Sequence, residues 1–407
     1  MKTRFKFLIL IAAMLLALSL VACGGTGDDG GEVLPPPNDD NTEIPEESTA
    51  GLAFSQNADG TYKLIGMGEC TEKTVVINKY QGALVTGISE YVFVANQTIE
   101  TLVIGPYVKE VPRNAFAETP SLKNIVIAEG VEKIGSYAFA SCYLVENVVV
   151  AESVTEAGEG AFAGLGALKR INIPSAIVDI PKAFINGAAS LESITLPQGT
   201  KTIGEGAFWA CASLKSIELP DTVTTIANRA FCDCDALTSI TIPQSVTSIG
   251  ERSFSECTFL ADLKFEGGTK IGKQAFYHCV ALSSVDFGNC TEIGERAFEY
   301  CFRLQYITIP GTVKKIGFQA FLDCENLLVV DMKEGVDEIA SQAFSNCANL
   351  TRIYIPLSVT KMEYAVLYDC PHVNVYCAAT MRGNGWDRDW YGEVKIITWG
   401  SLGLPSE

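Results

Sequence analysis

Between residues 105 and 378 the apolar positions follow one pattern, repeated with little change. In the copy Ile203-Gly204-Glu205-Gly206-Ala207-Phe208-Trp209-Ala210-Cys211-Ala212-Ser213-Leu214-Lys215-Ser216-Ile217-Glu218-Leu219-Pro220 the frame is I-G-x-x-A-F-x-x-C-x-x-L-x-x-I-x-I/L-P. The phenylalanine returns at Phe93, Phe116, Phe139, Phe162, Phe184, Phe208, Phe231, Phe254, Phe276, Phe298, Phe321 and Phe344, at intervals of 22 to 24 residues, and a further unit has Leu367 there. Alternation in L-x-x-I-x-I predicts a short strand with its apolar residues facing inward. Pro174, Pro197, Pro220, Pro243, Pro310 and Pro356 follow such strands and end them, having no N–H to donate. Glycine after the isoleucine, at Gly135, Gly204, Gly250, Gly272, Gly294 and Gly317, is expected to permit the turn. The A-F-x-x-C segment is expected to return along the opposite side as a helical or 3₁₀ turn, with Phe stacked on Phe.

A period in the low twenties carrying L-x-x-I-x-I falls in the leucine-rich-repeat range. The expected fold is an α/β repeat: a right-handed leucine-rich-repeat solenoid of about 13 coils, with a parallel sheet on one face and a cap at each end. At roughly 4.8 Å per coil the body is roughly 60 Å long. Residues 105–378 form the solenoid. Residues 51–104 form the N-terminal cap and first coil, where Ala53-Phe54, Asp59-Gly60 and Tyr62–Ile65 predict a hairpin and Val75–Ile77 a strand. Residues 379–407 form the C-terminal cap, with Trp386, Trp390, Tyr391 and Trp399 sealing the last coil and Val394–Ile397 adding a strand.

Upstream of the repeats the character of the chain changes. Lys2, Arg4 and Lys6 precede an apolar run from Phe7 to Leu18, and Leu20-Val21-Ala22-Cys23 matches a bacterial lipobox. Residues 1–22 therefore read as a lipoprotein signal peptide, with Cys23 the lipid-attachment site and a membrane tether. Residues 23–50 read as an acidic Gly/Pro-rich linker that buries too little apolar surface to order itself. The net charge is −18. An acidic chain repels phosphate backbones, which argues against nucleic acid as a partner.

Fourteen cysteines invite a redox or metal reading. Cys142, Cys211, Cys234, Cys257, Cys279, Cys301, Cys324, Cys347 and Cys370 all stand three residues after the phenylalanine slot, where Asn96, Thr119 and Leu165 stand in other coils. Such substitution suits a buried structural ladder in which a small group caps a backbone turn, with inert thiols. Disulfides are the rival, because an exported chain meets an oxidising compartment. Cys232-Asp233-Cys234 lacks a zinc spacing, and His278 and His372, the two histidines, lie four coils apart. Asp387-Arg388-Asp389 lacks the pattern of a calcium loop. No G-x-S-x-G, H-E-x-x-H or P-loop occurs. The expectation is a protein that is not an enzyme and carries no metal or cofactor.

The outward strand positions remain. In the middle coils they are small and hydroxylated, as at Ser193, Thr195, Ser216 and Thr241. Toward the N-terminal end Val103, Val126 and Val149 make an apolar row, for which cover from the cap or β-branched filler competes with ligand binding. Toward the C-terminal end Tyr306, Arg352 and Tyr354 have the composition of a binding hot spot and are expected to form a contact patch, against the alternative of ordinary surface.

The repeated I-G-x-x-A-F-x-x-C-x-x-L-x-x-I-x-I-P units resemble the BspA-like, or treponemal-type, leucine-rich-repeat family of bacterial surface proteins. Tyr376-Cys377 with Gly385-Trp386-Asp387 and Trp390 is similar to that family's usual ending. The resemblance covers about residues 51–400. It implies an adhesin-like protein, lipid-anchored in the bacterial cell envelope and displayed at the surface, with a protein or glycan ligand, host extracellular matrix included. A structural or envelope-assembly scaffold without a host ligand is the competing expectation.

Overall fold

The computed structural model describes residues 44–405 except Glu393 and Lys395. The leader, Cys23 and residues 24–43 lie outside the described residues. The chain winds as a β-solenoid in which each coil adds one rung to a parallel sheet. The thirteen coils are joined by a rung from each cap, Thr74–Ile77 and Ile396–Trp399, giving about 15 turns. Register is kept from coil to coil: Val103 pairs with Val126, Val126 with Val149, and Asp331 with Tyr354. Strand interiors such as Ile307, Val330 and Ile353 are buried, as the alternation requires.

Each coil also donates two residues to a second parallel sheet, typified by Lys315–Ile316 and Glu338–Ile339. Its inward isoleucines are buried, while lysines and glutamates on its outer side pair across coils, as in Lys133–Glu156 at 2.8 Å and Lys315–Glu338 at 3.0 Å.

The third side departs from expectation. Among the described residues no helix forms; A-F-x-x-C runs as successive turns. The residues two before and two after the phenylalanine slot adopt left-handed backbone: Arg229 and Asp233 around Phe231, Arg252 and Glu256 around Phe254. A right-handed helix cannot pass through such residues. Among the described residues, none of the non-glycine residues with positive φ is β-branched, the class that tolerates this conformation least. The polarity of the ladder reverses with it. On the sheet sides the later coil donates, as in Gly158 N–H to Ile134 C=O at 2.8 Å; on the turn side the earlier coil donates, as in Phe139 N–H to Ala161 C=O at 2.9 Å.

Inside this side the phenylalanines stack. Phe208, Phe231, Phe254, Phe276 and Phe298 follow one another at centroid distances of 5.1–5.3 Å with planes within 11°. Phe184 is a correction. Its coil places Ile185 in the slot, five residues after Ile180 as Phe208 is five after Ile203, and Ile185 N–H donates to Ala207 C=O as a slot residue does. Phe184 takes the preceding alanine position and meets Phe162 edge-on, at 5.6 Å and 83°.

The same coil carries a seam. The second sheet divides between Glu156–Ala157 and Asp179–Ile180. Pro181 stands where Gly158 and Gly204 donate to the coil before, and proline has no N–H to do so. In the first sheet the strand ends at Ile171, and the Asn172 carboxamide bonds the N–H and C=O of Val150 instead, at 2.9 and 2.6 Å.

The glycines after isoleucine also differ from expectation. Gly204 and Gly317 have no positive φ; a Cβ on either would lie 2.6 Å from the backbone of the preceding coil, at Ile180 O and Gly294 C. They allow close approach between coils rather than a special turn.

Both caps need small adjustments. The hairpin forms as Ala53–Gln56 against Tyr62–Gly66. Residues 44–49, assigned to the linker by composition, run beside Thr74–Ile77: Thr49 N–H donates to Val76 C=O at 3.0 Å, and Val76 N–H donates to Thr49 Oγ1 at 2.8 Å. Hydroxyl groups and backbone thus satisfy an edge strand that the linker reading left open. At the other end the strand is Ile396–Trp399, two residues later than expected. Trp390 is 1% exposed; its C=O accepts from Leu367 N–H, and the Trp386 indole donates to Val359 C=O at 3.0 Å.

Candidate ligand-binding surface

The outer face of the first sheet is built by the positions between the inward residues. At its C-terminal end the register aligns two rows. One runs Tyr306, Val329, Arg352, Asn374, Ile396; the other runs Thr308, Asp331, Tyr354, Tyr376, Thr398. Arg352 and Tyr354 are therefore neighbours on one strand, and Tyr306 stands two rungs away with Val329 between. Tyr306 is 59% and Ile396 57% exposed, while Arg352, Tyr354 and Tyr376 are half-buried. Burial raises the Tyr354 phenol, and the carboxylates of Glu334 and Asp331 add to the shift. Tyr376 and Ile396, named in the sequence only within the family-like ending and the cap strand, were not counted among the outward positions. Counting on from Cys370 in the same frame reaches Val373, Val375 and Cys377 as inward residues and Tyr376 as outward, so the signal was present for Tyr376.

The valine row is not a uniform surface. Val76 and Val103 are 2% and 4% exposed, and Val126 and Val149 are half-buried. Burial fades with distance from the N-terminal cap, so Val103 is withdrawn as a ligand contact: it belongs to the covered end of the sheet.

The cysteine ladder has a consistent geometry. Each Sγ donates to the C=O of the slot residue one coil back: Cys142 to Phe116 at 3.1 Å, Cys211 to Ile185 at 3.6 Å, Cys257 to Phe231 at 3.2 Å, Cys370 to Phe344 at 3.1 Å. Thr119 Oγ1 reaches Phe93 C=O in the same way, at 3.3 Å. The thirteen described cysteines are free and buried. Burial pushes Cys142 up to about 11 and Cys211 up to about 12, and Cys234, Cys257, Cys279 and Cys301 well above the ordinary thiol. These positions offer neither a thiolate nor an open metal ligand. Among the described residues no group of three or more His, Cys, Asp or Glu side chains could hold a metal ion. Asp387 accepts from Asp389 N–H at 2.8 Å and His372 is exposed. His278 sits among rings on the turn side, against the Glu256 carboxylate.

One carboxyl is out of place in this acidic surface. Glu299 is 4% exposed, its Oε2 has no hydrogen bond and lies 3.6 Å from Arg296 Nε, and burial raises its pKa against the pull of that cation. Its folded form binds a proton at a pH where the unfolded form has lost it. Wild-type stability therefore gains as pH falls through the folded pKa toward the usual carboxylate range. Glu299→Gln is expected to be more stable than wild type at neutral pH, with the advantage shrinking on acidification. Urea midpoints at a series of pH values check this; a gap independent of pH contradicts it.

Against this geometry the comparisons with known proteins are direct. A model of the BspA-type leucine-rich-repeat region matches residues 70–189, 179–289 and 265–374. The chain belongs to the BspA-type leucine-rich-repeat family. No curated protein matches it in sequence. Among solved structures, a leucine-rich repeat protein from Bacteroides ovatus is similar at 25% identity and a TM-score of 0.67, over 81% of this chain and 93% of that one. A leucine rich cell surface protein from Faecalibacterium prausnitzii is 24% identical, covering 89% of this chain and 96% of that one with a TM-score of 0.43. A T. pallidum leucine-rich repeat protein is 22% identical, over 58% and 90%, with a TM-score of 0.39. Like other solenoids, the BspA-type fold offers a long repeated surface. Among the described residues no helix is long and apolar enough to cross a membrane.

Proposed function

We propose that this BspA-type protein is a non-catalytic binding protein of the bacterial cell surface, lipid-anchored at Cys23, that holds a protein or glycan ligand on the outer face of its first sheet. The supporting observation is the pair of aligned rows at the C-terminal end, where Tyr306, Arg352, Tyr354, Tyr376 and Ile396 share one face. Aromatic and arginine side chains dominate binding hot spots. The hydroxylated middle coils offer no comparable anchor.

The test is a solid-phase screen of the purified chain against fibronectin, fibrinogen, collagen, laminin, mucin and a glycan array. A saturable ligand is expected. Changing Tyr306, Arg352 and Tyr354 together to Ala is expected to weaken it at least about a hundredfold, from hot-spot losses of about 1 kcal/mol or more each. Unchanged affinity in the folded triple variant would rule out this patch. A blank screen with intact protein favours an envelope-assembly scaffold, and resistance to protease shaving of intact cells would count the same way.

A further inference from the structure

One corner on the turn side carries a group of rings that other coils lack. The two residues after the phenylalanine slot are Ala140 and Ser141 in one coil and Ala163 and Gly164 in the next. After Phe276 they are Tyr277 and His278; after Phe298 they are Glu299 and Tyr300, with Phe302 close behind. Coil stacking brings them together. The His278 ring stands edge-on to Tyr300 at 6.2 Å and 87°, and to Phe302 at 6.4 Å and 83°. Tyr277 meets Tyr300 at 5.6 Å and 79°. With Glu256 these rings line an open cavity of about 220 Å³.

Carboxylates and guanidinium groups both border this corner, and the carboxylate that lines the cavity itself is Glu256. The Glu256 carboxyl group faces His278 Nδ1 within hydrogen-bond distance. Glu299 is buried beside the rings, and the Tyr277 and Tyr300 phenols are both raised, by burial first and by Glu299 next. The neighbouring cations are Arg252 and Arg296; their Nε groups donate to Gln274 and Gln319 at 2.9 and 2.7 Å, and Arg296 Nε also lies 3.6 Å from Glu299 Oε2.

We propose that the corner formed by Tyr277, His278, Tyr300, Phe302 and Glu256 binds an alkylated ammonium group. Ring faces attract a cation, and one carrying methyl groups gives up little hydration on entering between them. The carboxylate beside the rings supplies a counter-charge. A hard metal ion needs several oxygen ligands, which the rings do not offer. An anion meets Glu256 and Glu299. The site lies on the turn side, away from the sheet face, and does not depend on a ligand being bound there.

Saturation-transfer NMR on the purified chain tests this with choline chloride and its uncharged carbon isostere, dimethylbutanol. Choline is expected to bind saturably, and the isostere at least about threefold more weakly. Phe302→Ala and Glu256→Gln are each expected to weaken choline about threefold or more. Alanine and glycine already occupy the Phe302 position in other coils, at Ala212 and Gly166, so the fold tolerates that change. Circular dichroism and the melting temperature confirm it. Equal binding of choline and dimethylbutanol, or choline binding indifferent to both variants, overturns the proposal. Phosphocholine and acetylated trimethyl-lysine amide separate a head group from a protein side chain as the source. Preference for either supports the site, and failure of both to bind overturns it.

Discussion

Replacing Phe254 by Ala is expected to lower the stability of the solenoid by about 3–5 kcal/mol, the range for removing a fully buried phenyl ring. Phe254 is 0% exposed and lies between Phe231 and Phe276, at 5.1 and 5.3 Å with planes 11° and 5° away. Its loss breaks two ring contacts at once, each worth about 0.5–1.5 kcal/mol beyond burial. Neighbouring coils cannot close over the hole. They are held at ladder spacing by Phe231 N–H to Ser253 C=O and Phe254 N–H to Ala275 C=O, each at 2.8 Å. Because each coil touches only its neighbours, the damage should be local. Denaturant unfolding measures the loss, and amide exchange should show it concentrated between Phe231 and Phe276. A loss below about 1 kcal/mol would mean that the stack is filler. Phe254→Leu is the milder comparison, since leucine stands in this slot at Leu367, where it is fully buried.

The repeat and its inward faces were legible because burial imposes a period on side-chain type, and the period survives substitution. What counts is position within the period. Phe184 was misplaced by following phenyl rings instead of the distance from Ile180. The turn side was not legible as such. Its left-handed positions hold Asn, Arg, Gln, Asp and Ala, residues that also occur in helices, and the usable signal was the lack of β-branched residues there. The glycines were recognised but their role was not, since contact with a neighbouring coil is invisible within one copy. Residues 44–49 read as linker by composition, and only the edge strand beside them reveals what Ser48 and Thr49 do: Asn78 N–H donates to Ser48 Oγ at 2.8 Å. Of the proposed binding surface, Tyr306, Arg352 and Tyr354 could be placed on one face because the outward positions could be counted. The aromatic corner was missed because its members are spread from Glu256 to Phe302. His278 and Tyr300 are one period apart, so laying the coils side by side would have shown it.

The cysteine ladder supplies the other large effect, read as a rate. Only the thiolate attacks a disulfide reagent. A pKa of about 12, as at Cys211, leaves a thiolate population about three to four orders of magnitude below that of an ordinary thiol at mild alkaline pH. Burial then denies the reagent access, and each ladder Sγ is already committed to a carbonyl one coil back. With Cys23 changed to Ser, the native chain is expected to show almost no reaction with an aromatic disulfide over hours at pH 8, and thirteen thiols within minutes in denaturant. Off the ladder, Cys232, Cys290 and Cys377 are also pushed up to about 12, and Cys70 is shielded by burial alone, at 8% exposed, so it is the off-ladder thiol expected to label first. Rapid native labelling at Cys257 or Cys301, or disulfide-linked peptides by mass spectrometry, would overturn this reading. The reason to expect free thiols even in an oxidising compartment is geometric. A disulfide between adjacent coils would swing two sulfurs off their carbonyls and leave buried acceptors with fewer partners. Thr119 and Leu165 make the same point from the other direction: both are buried at this position and neither can form a disulfide, so the coil closes there without a crosslink.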